Sequence, residues 1–267
     1  MNKQFIAKHW YASVYEQFEN HTYDVEFLLK VLYEQTGGTP QNILEAACGG
    51  GRISVPLAQA GHNVTGFDAD EHMLLRCYRR MRDISNITCY QADATVADWG
   101  KVFDVVVMAG NILINIETGI DYSEAQQIFI RKAAEALRSG GHLYLDYDQH
   151  SDASAAKAFN GLGESSYFKG TDELGTTGRT VSWGGAYDPV TRIWTGIGHW
   201  ELTTNNGEKF IYSTKPRYKH IPTLKLVYSW LAEAGFTVEK AWRNYTDDPL
   251  SEQEPDYVKA IIWARKG

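Results

Sequence analysis

Three carboxylates and a run of glycines carry the chemistry that is legible in this 267-residue sequence. Glu45 stands four residues ahead of Gly49-Gly50-Gly51, in the segment Ile43-Leu44-Glu45-Ala46-Ala47-Cys48-Gly49-Gly50-Gly51-Arg52. Glycines in such a loop let the backbone turn sharply and approach a ligand closely. Asp68 follows 17 residues after Gly51, and Asp93 lies in Gln91-Ala92-Asp93-Ala94. A carboxylate at the second position can accept hydrogen bonds from both hydroxyls of a ribose. One at the third can accept from the amino group of an adenine. Ser54 occupies the place where a dinucleotide fingerprint needs its third glycine. Glu45 would also repel a pyrophosphate, whereas it suits a cationic ligand.

These residues need a frame that brings several strand ends together. Apolar and polar periodicity predicts one. The first 35 residues read as helix, with Phe27, Leu28, Val31 and Leu32 at helical spacing, and Gly37-Gly38 with Pro40 ends it. Strands are expected over 42–47, 63–68, 87–91, 103–109 and 142–147. Helices are expected over 52–60, 71–82 and 124–137, the last stopped by Ser139-Gly140-Gly141. Alternation of this kind implies a parallel sheet with right-handed crossovers. The run Phe103–Ala109 has the apolar, β-branched character of a strand buried on both faces. Residues 151–220 change to Gly, Thr and Trp with turn signals. They predict antiparallel strands near 178–187, 191–203 and 208–219. A helix near 222–234 and strands near 236–244 and 257–264 complete the chain.

Composition bounds the function. The formal net charge is −7, which gives no broad basic surface for nucleic acid. Arg76, Arg79, Arg80 and Arg82 are the local exception and read as a solvated helix face. No apolar run reaches the ~18 residues that a membrane span needs, and the N-terminus lacks an apolar signal core. Cys48, Cys77 and Cys89 show no paired spacing, so neither a disulfide framework nor a metal site is expected, and the expected setting is cytoplasmic. The 34 aromatics are uneven: 8 in residues 1–35, 9 in 36–150 and 17 in 151–267. Centre and flanks should therefore do different work.

The central motifs resemble class I S-adenosylmethionine (SAM)-dependent methyltransferases. Glu45 and Gly49-Gly50-Gly51 are similar to the first motif of that family. Phe67-Asp68 with Met73 is similar to its ribose acid and the apolar residue that packs on adenine, and Asp93-Ala94 to its adenine-edge motif. Phe103-Asp104-Val105-Val106-Val107 and Leu137-Arg138-Ser139-Gly140-Gly141-His142-Leu143 are similar to its fourth and fifth strand motifs. The resemblance covers about residues 36–150. It implies an α/β, Rossmann-like, doubly wound sheet of seven mainly parallel strands whose final strand is antiparallel. It implies SAM as cofactor, S-adenosylhomocysteine as product, and a cofactor set of Glu45, Ala47, Gly49, Gly51, Asp68, Met73, Asp93, Ala94 and Ala109.

The flanks point to a branch. Tyr11-Ala12-Ser13-Val14-Tyr15 is similar to the tyrosine-containing lid of small-molecule methyltransferases, which adds Tyr11 and Tyr15 to the cofactor set. The layout resembles glycine and sarcosine N-methyltransferases and amino-sugar N-methyltransferases. It implies a helical cap at 1–35, a SAM-binding core at 36–150, an antiparallel substrate lid at 151–220 and completion of the core sheet by 221–267. Asn111, Asp148 and Tyr218 are the expected acceptor-side residues. Asp148 stands where the glycine enzyme places an arginine for the substrate carboxylate, so the acceptor should be an amine or hydroxyl compound and not glycine. His199 and His220 are candidate bases for a hydroxyl acceptor. The expected reaction is in-line methyl transfer to nitrogen or oxygen of a small molecule, by a monomer or homodimer. Two alternatives stay open: a nucleic-acid or protein methyltransferase, and a non-catalytic module binding SAM or NAD.

Overall fold

The structure, a computed structural model, describes residues 2–116, 118–159, 168–182, 185–251 and 256–267. In chain order its elements are α1 (Lys3–Phe18), α2 (Tyr23–Thr36), β1 (Asn42–Ala46), α3 (Ser54–Gln59), β2 (Asn63–Asp68), α4 (Glu71–Arg80), β3 (Ile87–Gln91) and β4 (Phe103–Met108). A 3-10 turn at Ile112–Ile114 follows, then α5 (Tyr122–Ala136), β5 (Leu137–His150), α6 (Asp152–Phe159), β6 (Lys169–Thr171), β7 (Thr177–Ser182) and β8 (Gly185–Asp188). The last are β9 (Ile193–Gly196), β10 (His199–Thr203), β11 (Lys209–Ser213), β12 (Arg217–His220), α7 (Leu224–Glu233), β13 (Phe236–Arg243) and β14 (Tyr257–Lys266). They form two compact units: Thr22–Ser151 with Pro222–Gly267, and Met1–His21 with Asp152–Ile221.

The first unit is built on the expected seven-stranded sheet, in the order β13-β14-β5-β4-β1-β2-β3. β1 pairs in parallel with β2 and β4, and β14 runs antiparallel to both β5 and β13. Val105, Val106, Val107 and Met108 are all buried, as a central parallel strand covered on both faces requires. Phe27, Leu28, Val31 and Leu32 of α2 pack with Ile43, Val64, Val105, Val107, Ile261 and Trp263. Another layer sets Phe67 tilted against Trp99 at 5.3 Å and Trp99 edge-on to Phe129 of α5 at 5.5 Å. Side-chain caps fix the helix starts: Asp70 accepts from the His72 amide, Asp121 from that of Glu124, and Thr223 from that of Leu226.

Two local expectations are corrected here. Ser139-Gly140-Gly141 does not separate helix from strand; α5 runs straight into β5. Phe103 pairs with Leu137 but Val105 pairs with His142, so residues 138–141 bulge from the ladder, and Gly140 takes φ +72° there. Arg76 is not on a solvated face: it is buried, and its guanidinium donates to the His72 carbonyl at 3.4 Å. A feature that spacing did not announce joins them: the three cysteines meet in space. Cys48, Cys77 and Cys89 are free and buried, and their sulfurs all lie within 4.8 Å of one another.

In the second unit each of the three expected long strands is split in two. One set of halves, with the unexpected β6 added at its edge, makes a four-stranded sheet, β11-β10-β7-β6, and the other a three-stranded sheet, β12-β9-β8. Ile197-Gly198 interrupts the middle arm, and Thr214-Lys215-Pro216 interrupts the last, where Pro216 has no N–H for a ladder. The break in the first arm falls at residues 183–184, outside the described residues. α6 has no counterpart in the sequence reading. Trp10, Trp200, Phe168 and Leu202 form a buried cluster joined by Tyr11, Tyr15, Phe210 and Tyr212. The segment expected as one cap, 1–35, is two helices, α1 in this unit and α2 in the sheet unit. Among the described residues no helix is long and apolar enough to cross a membrane.

Candidate functional site

Because β1 to β5 are parallel, their carboxyl ends share one edge of the sheet. The loop after β1 turns through Ala47 at φ +58°, Gly49 at +53° and Gly51 at +76°. The Cys48 amide donates to the Phe67 carbonyl at 2.9 Å, and the Gly51 amide to that of Cys48 at 2.9 Å. Asp68, at the end of β2, accepts from the Gly49 amide at 2.8 Å and from the Asp70 amide at 2.8 Å. Burial raises the Asp68 carboxyl above its ordinary range, and those two amides oppose the rise. Met73 reaches the same loop; a Cβ added to Gly49 would stand 3.2 Å from its methyl carbon. The loop amide is thus committed to a carboxylate, which is the wrong partner for a pyrophosphate and leaves further lone pairs for hydroxyls.

Glu45 is buried on β1 and accepts from the Ser54 hydroxyl. Burial pushes its carboxyl up to about 8, with the Ser54 bond pulling the other way. The serine that breaks the dinucleotide fingerprint is therefore the partner of this acid. Asp93 is exposed and accepts from the Thr95 amide at 2.8 Å and hydroxyl at 2.6 Å. Ala94 is buried and its carbonyl accepts from the Trp99 indole at 3.0 Å.

A further network joins the turn after β4 to the carboxyl-terminal part of β5, which runs on to His150. Asn111, at φ +64°, donates through Nδ2 to Asp148, while the Asp148 amide donates to Asn111 Oδ1 at 2.7 Å. Asp148 also accepts from the Tyr257 hydroxyl at 3.0 Å and pairs with Lys259 Nζ at 2.7 Å. Lys259 comes from β14, whose antiparallel register sets it opposite Asp148. Asp146, fully buried, accepts from the Gly110 and Asn111 amides at 3.3 and 3.1 Å and so holds the turn that follows Ala109. Burial raises its carboxyl, and the Lys259 charge opposes the rise.

The structure thus brings Asn111 and Asp148 into direct contact and gathers Gly49, Asp68 and Met73 around one loop. Tyr11, Tyr15 and Tyr218 belong to the other unit. There Tyr11 stacks on Trp200 at 4.7 Å, Tyr11 and Tyr15 lie 6.1 Å apart, and Tyr218 is exposed on β12 opposite Thr195. His199 contacts Ser213 at 2.8 Å, and His220 is buried at the end of β12, opposite Ile193. Sequence reasoning missed Asp24, Tyr144, Asp146, Tyr245, Tyr257 and Lys259. Asp24 is buried and takes both guanidinium nitrogens of Arg52, at 2.7 and 2.6 Å. The Tyr144 hydroxyl is buried with no hydrogen-bond partner among the described residues, and the charges of Asp146 and Asp24 act on it. Burial raises Tyr245, with Asp146, Tyr144, Asp24 and Asp148 adding to the rise. A signal existed for Asp146 alone: in Leu145-Asp146-Tyr147-Asp148 it shares a strand face with Asp148.

The residues fit SAM. A set of carboxylates and an orphaned phenol suits a sulfonium, an ammonium and ribose hydroxyls; it does not suit phosphate. Comparisons with known proteins agree. Residues 43–141 match the family model described as a methyltransferase domain. The chain is 26% identical over 265 residues to the Bacillus subtilis protein named "Putative methyltransferase YqeM", covering 94% of this chain and 95% of that one. Its fold is similar to that of a SAM-dependent methyltransferase from Clostridium acetobutylicum, with 14% identity, all of both chains covered and a TM-score of 0.72. It is also similar to the sugar N-methyltransferase KedS8 from Streptoalloteichus, with 16% identity, 94% and 90% of the two chains covered and a TM-score of 0.66. With its methyltransferase domain at residues 43–141 on a seven-stranded Rossmann-like sheet, the chain is a SAM-dependent methyltransferase.

Proposed function

We propose that this methyltransferase alkylates a nitrogen or oxygen of a small, polar, non-anionic acceptor such as an amine or amino sugar. The observation that carries this reading is the state of Asp148. Asn111, Tyr257 and Lys259 all hold its carboxylate, so the group is charge-compensated and fixed while its side chain keeps 21% exposure. A fixed carboxylate with lone pairs to spare accepts from N–H and O–H groups and offers no donor to a carboxylate substrate. The similarity to a sugar N-methyltransferase supports the same class of acceptor.

When bound, SAM supplies an electrophilic methyl carbon on a sulfonium. Glu45, Asp68 and the loop they flank would hold and orient it, with Asp68 on the ribose and Asp93 toward the adenine. Asp148 would accept from the acceptor and align its lone pair. A free amine needs no base before attack; its nitrogen would form the new bond to the methyl carbon as the carbon–sulfur bond breaks, the electron pair leaving with the sulfur as a neutral thioether, and the ammonium proton leaves afterwards. Reactivity then comes from orientation and exclusion of water.

A SAM-dependent screen over amines, amino sugars and phenols tests this, read as a mass gain of one methyl. Transfer confined to nucleic acid or protein would refute the small-molecule reading. SAM binding with no methyl product on any acceptor would favour a binding module.

A further inference from the structure

The fold brings together three sulfurs that sequence spacing kept apart. Cys48 lies in the loop after β1, Cys77 in α4 and Cys89 in β3. All three sulfurs lie within 4.8 Å of one another, and those of Cys77 and Cys89 are 2.9 Å apart. Their surroundings are apolar, with Ile53, Val64, Leu74 and Ile87 in the same core cluster. The thiols, which are weak donors and acceptors, meet each other directly, and the charges that act on them are those of the buried Glu45 carboxyl, which opposes thiolates, and the Arg80 guanidinium, which favours the Cys77 thiolate.

Two glycines make room for the group. A Cβ on Gly66 would stand 2.9 Å from the Cys48 sulfur and 3.2 Å from that of Cys89, and one on Gly51 would stand 2.9 Å from the Cys77 sulfur. Any other residue at either position would displace a sulfur. Cys89 retains 8% exposure on β3, which is the edge strand of the sheet, so that edge offers the shortest way in.

We propose that Cys48, Cys77 and Cys89 form a three-thiolate site for one soft metal ion of the zinc or copper(I) type, set behind the cofactor loop. Such ions bind sulfur at about 2.3 Å, which places sulfurs about 4 Å apart around a shared centre. The cluster already spans that range, and seating an ion moves Cys77 and Cys89 apart by about 1 Å. A disulfide would use two sulfurs and strand the third, whereas one ion uses three sulfurs from three elements. For a divalent ion the balance is three thiols plus M²⁺ giving one tris-thiolate complex of charge −1 and three released protons. No electrons move. The site does not depend on which acceptor is methylated.

Cadmium(II) is the probe, added without air to the reduced full chain. We expect one ion retained per chain by native mass spectrometry and a thiolate-to-cadmium absorption band in the ultraviolet, which histidine ligation does not give. Proton release should approach three per ion. Cys77→Ser and Cys89→Ser should each remove about a third of the band and weaken retention at least tenfold. Circular dichroism checks that each variant is folded. Cadmium should raise the thermal midpoint of the parent chain and not that of a Cys77→Ser, Cys89→Ser double variant. Absence of the band in a chain whose three thiols titrate as free would overturn the proposal. So would an undiminished band in both single variants, or a Cys77–Cys89 disulfide that persists under the reducing conditions used.

Discussion

Replacing Glu45 by Gln isolates the energetic role of a buried acid beside the glycine loop. The carboxyl is held at about 8 inside the protein against an ordinary value of 4.5, because burial disfavours its charged form. Folding therefore takes up a proton at any pH between those values. The stability it contributes is fully present below 4.5, falls as pH rises, and is lost once pH passes about 8. Each unit is worth about 1.36 kcal/mol. Between pH 5.5 and 8 the parent chain should lose about 3 kcal/mol from this group, and the full span amounts to about 5 kcal/mol. Gln is neutral in both states and retains a partner for Ser54, so Glu45→Gln should lack that slope and overtake the parent chain as pH rises. Urea denaturation at pH 5.5, 7 and 8.5 measures it. Ligand affinity should move the opposite way. A cationic ligand favours the ionised acid, so SAM should bind the parent chain up to tenfold tighter per pH unit up to about 8, while Glu45→Gln binds weakly and without that slope. Calorimetry at the same pH values reads this. Equal pH slopes of stability in parent and variant, or flat SAM affinity in the parent, would refute the reasoning.

Three further outcomes follow from the site. Asp68→Asn removes a charged acceptor from both the Gly49 amide and the proposed ribose contact, and should weaken SAM binding in calorimetry by about 10- to 100-fold. Asp148→Asn and Lys259→Met should each lower kcat/KM for the true acceptor at least tenfold while leaving the SAM dissociation constant within about twofold; unchanged turnover in both would remove this pair from the acceptor site. Gly51→Ala forces a side chain to φ +76° and against the Cys77 sulfur, and should cost about 2 kcal/mol or more in urea unfolding.

The parts of this molecule that were legible in its sequence are those whose geometry is set locally. Glu45, the glycine loop and Asp68 sit at the end of a strand or in the turn that follows it, so order along the chain nearly determines their place. The seven-stranded sheet was legible for the same reason, since each apolar run and each glycine stop marks an element. Bounds shifted only where local signals compete. Ser139-Gly140-Gly141 looks like a helix stop, yet in the sheet it is a bulge that keeps β4 and β5 in register on both sides.

What stayed hidden depends on register across long separations. Lys259 and Tyr257 reach Asp148 because β14 inserts antiparallel between β5 and β13, and one residue of slip would turn Lys259 to the other face. Periodicity reports that a strand has two faces; it does not report which neighbour those faces meet. The same limit explains the N-terminal segment. α1 and α2 each bury an apolar stripe, so they read as one cap, yet α1 packs with Trp200 and Phe168 and α2 with Val105 and Trp263. It explains the thiols as well, since spacing rules for cysteine capture ligands on one hairpin or helix and not sulfurs delivered by a loop, a helix and an edge strand. The identity of an acid near a glycine loop could thus be read from the chain alone. The lysine that pairs with a second acid, Asp148, could be read only once the sheet had closed.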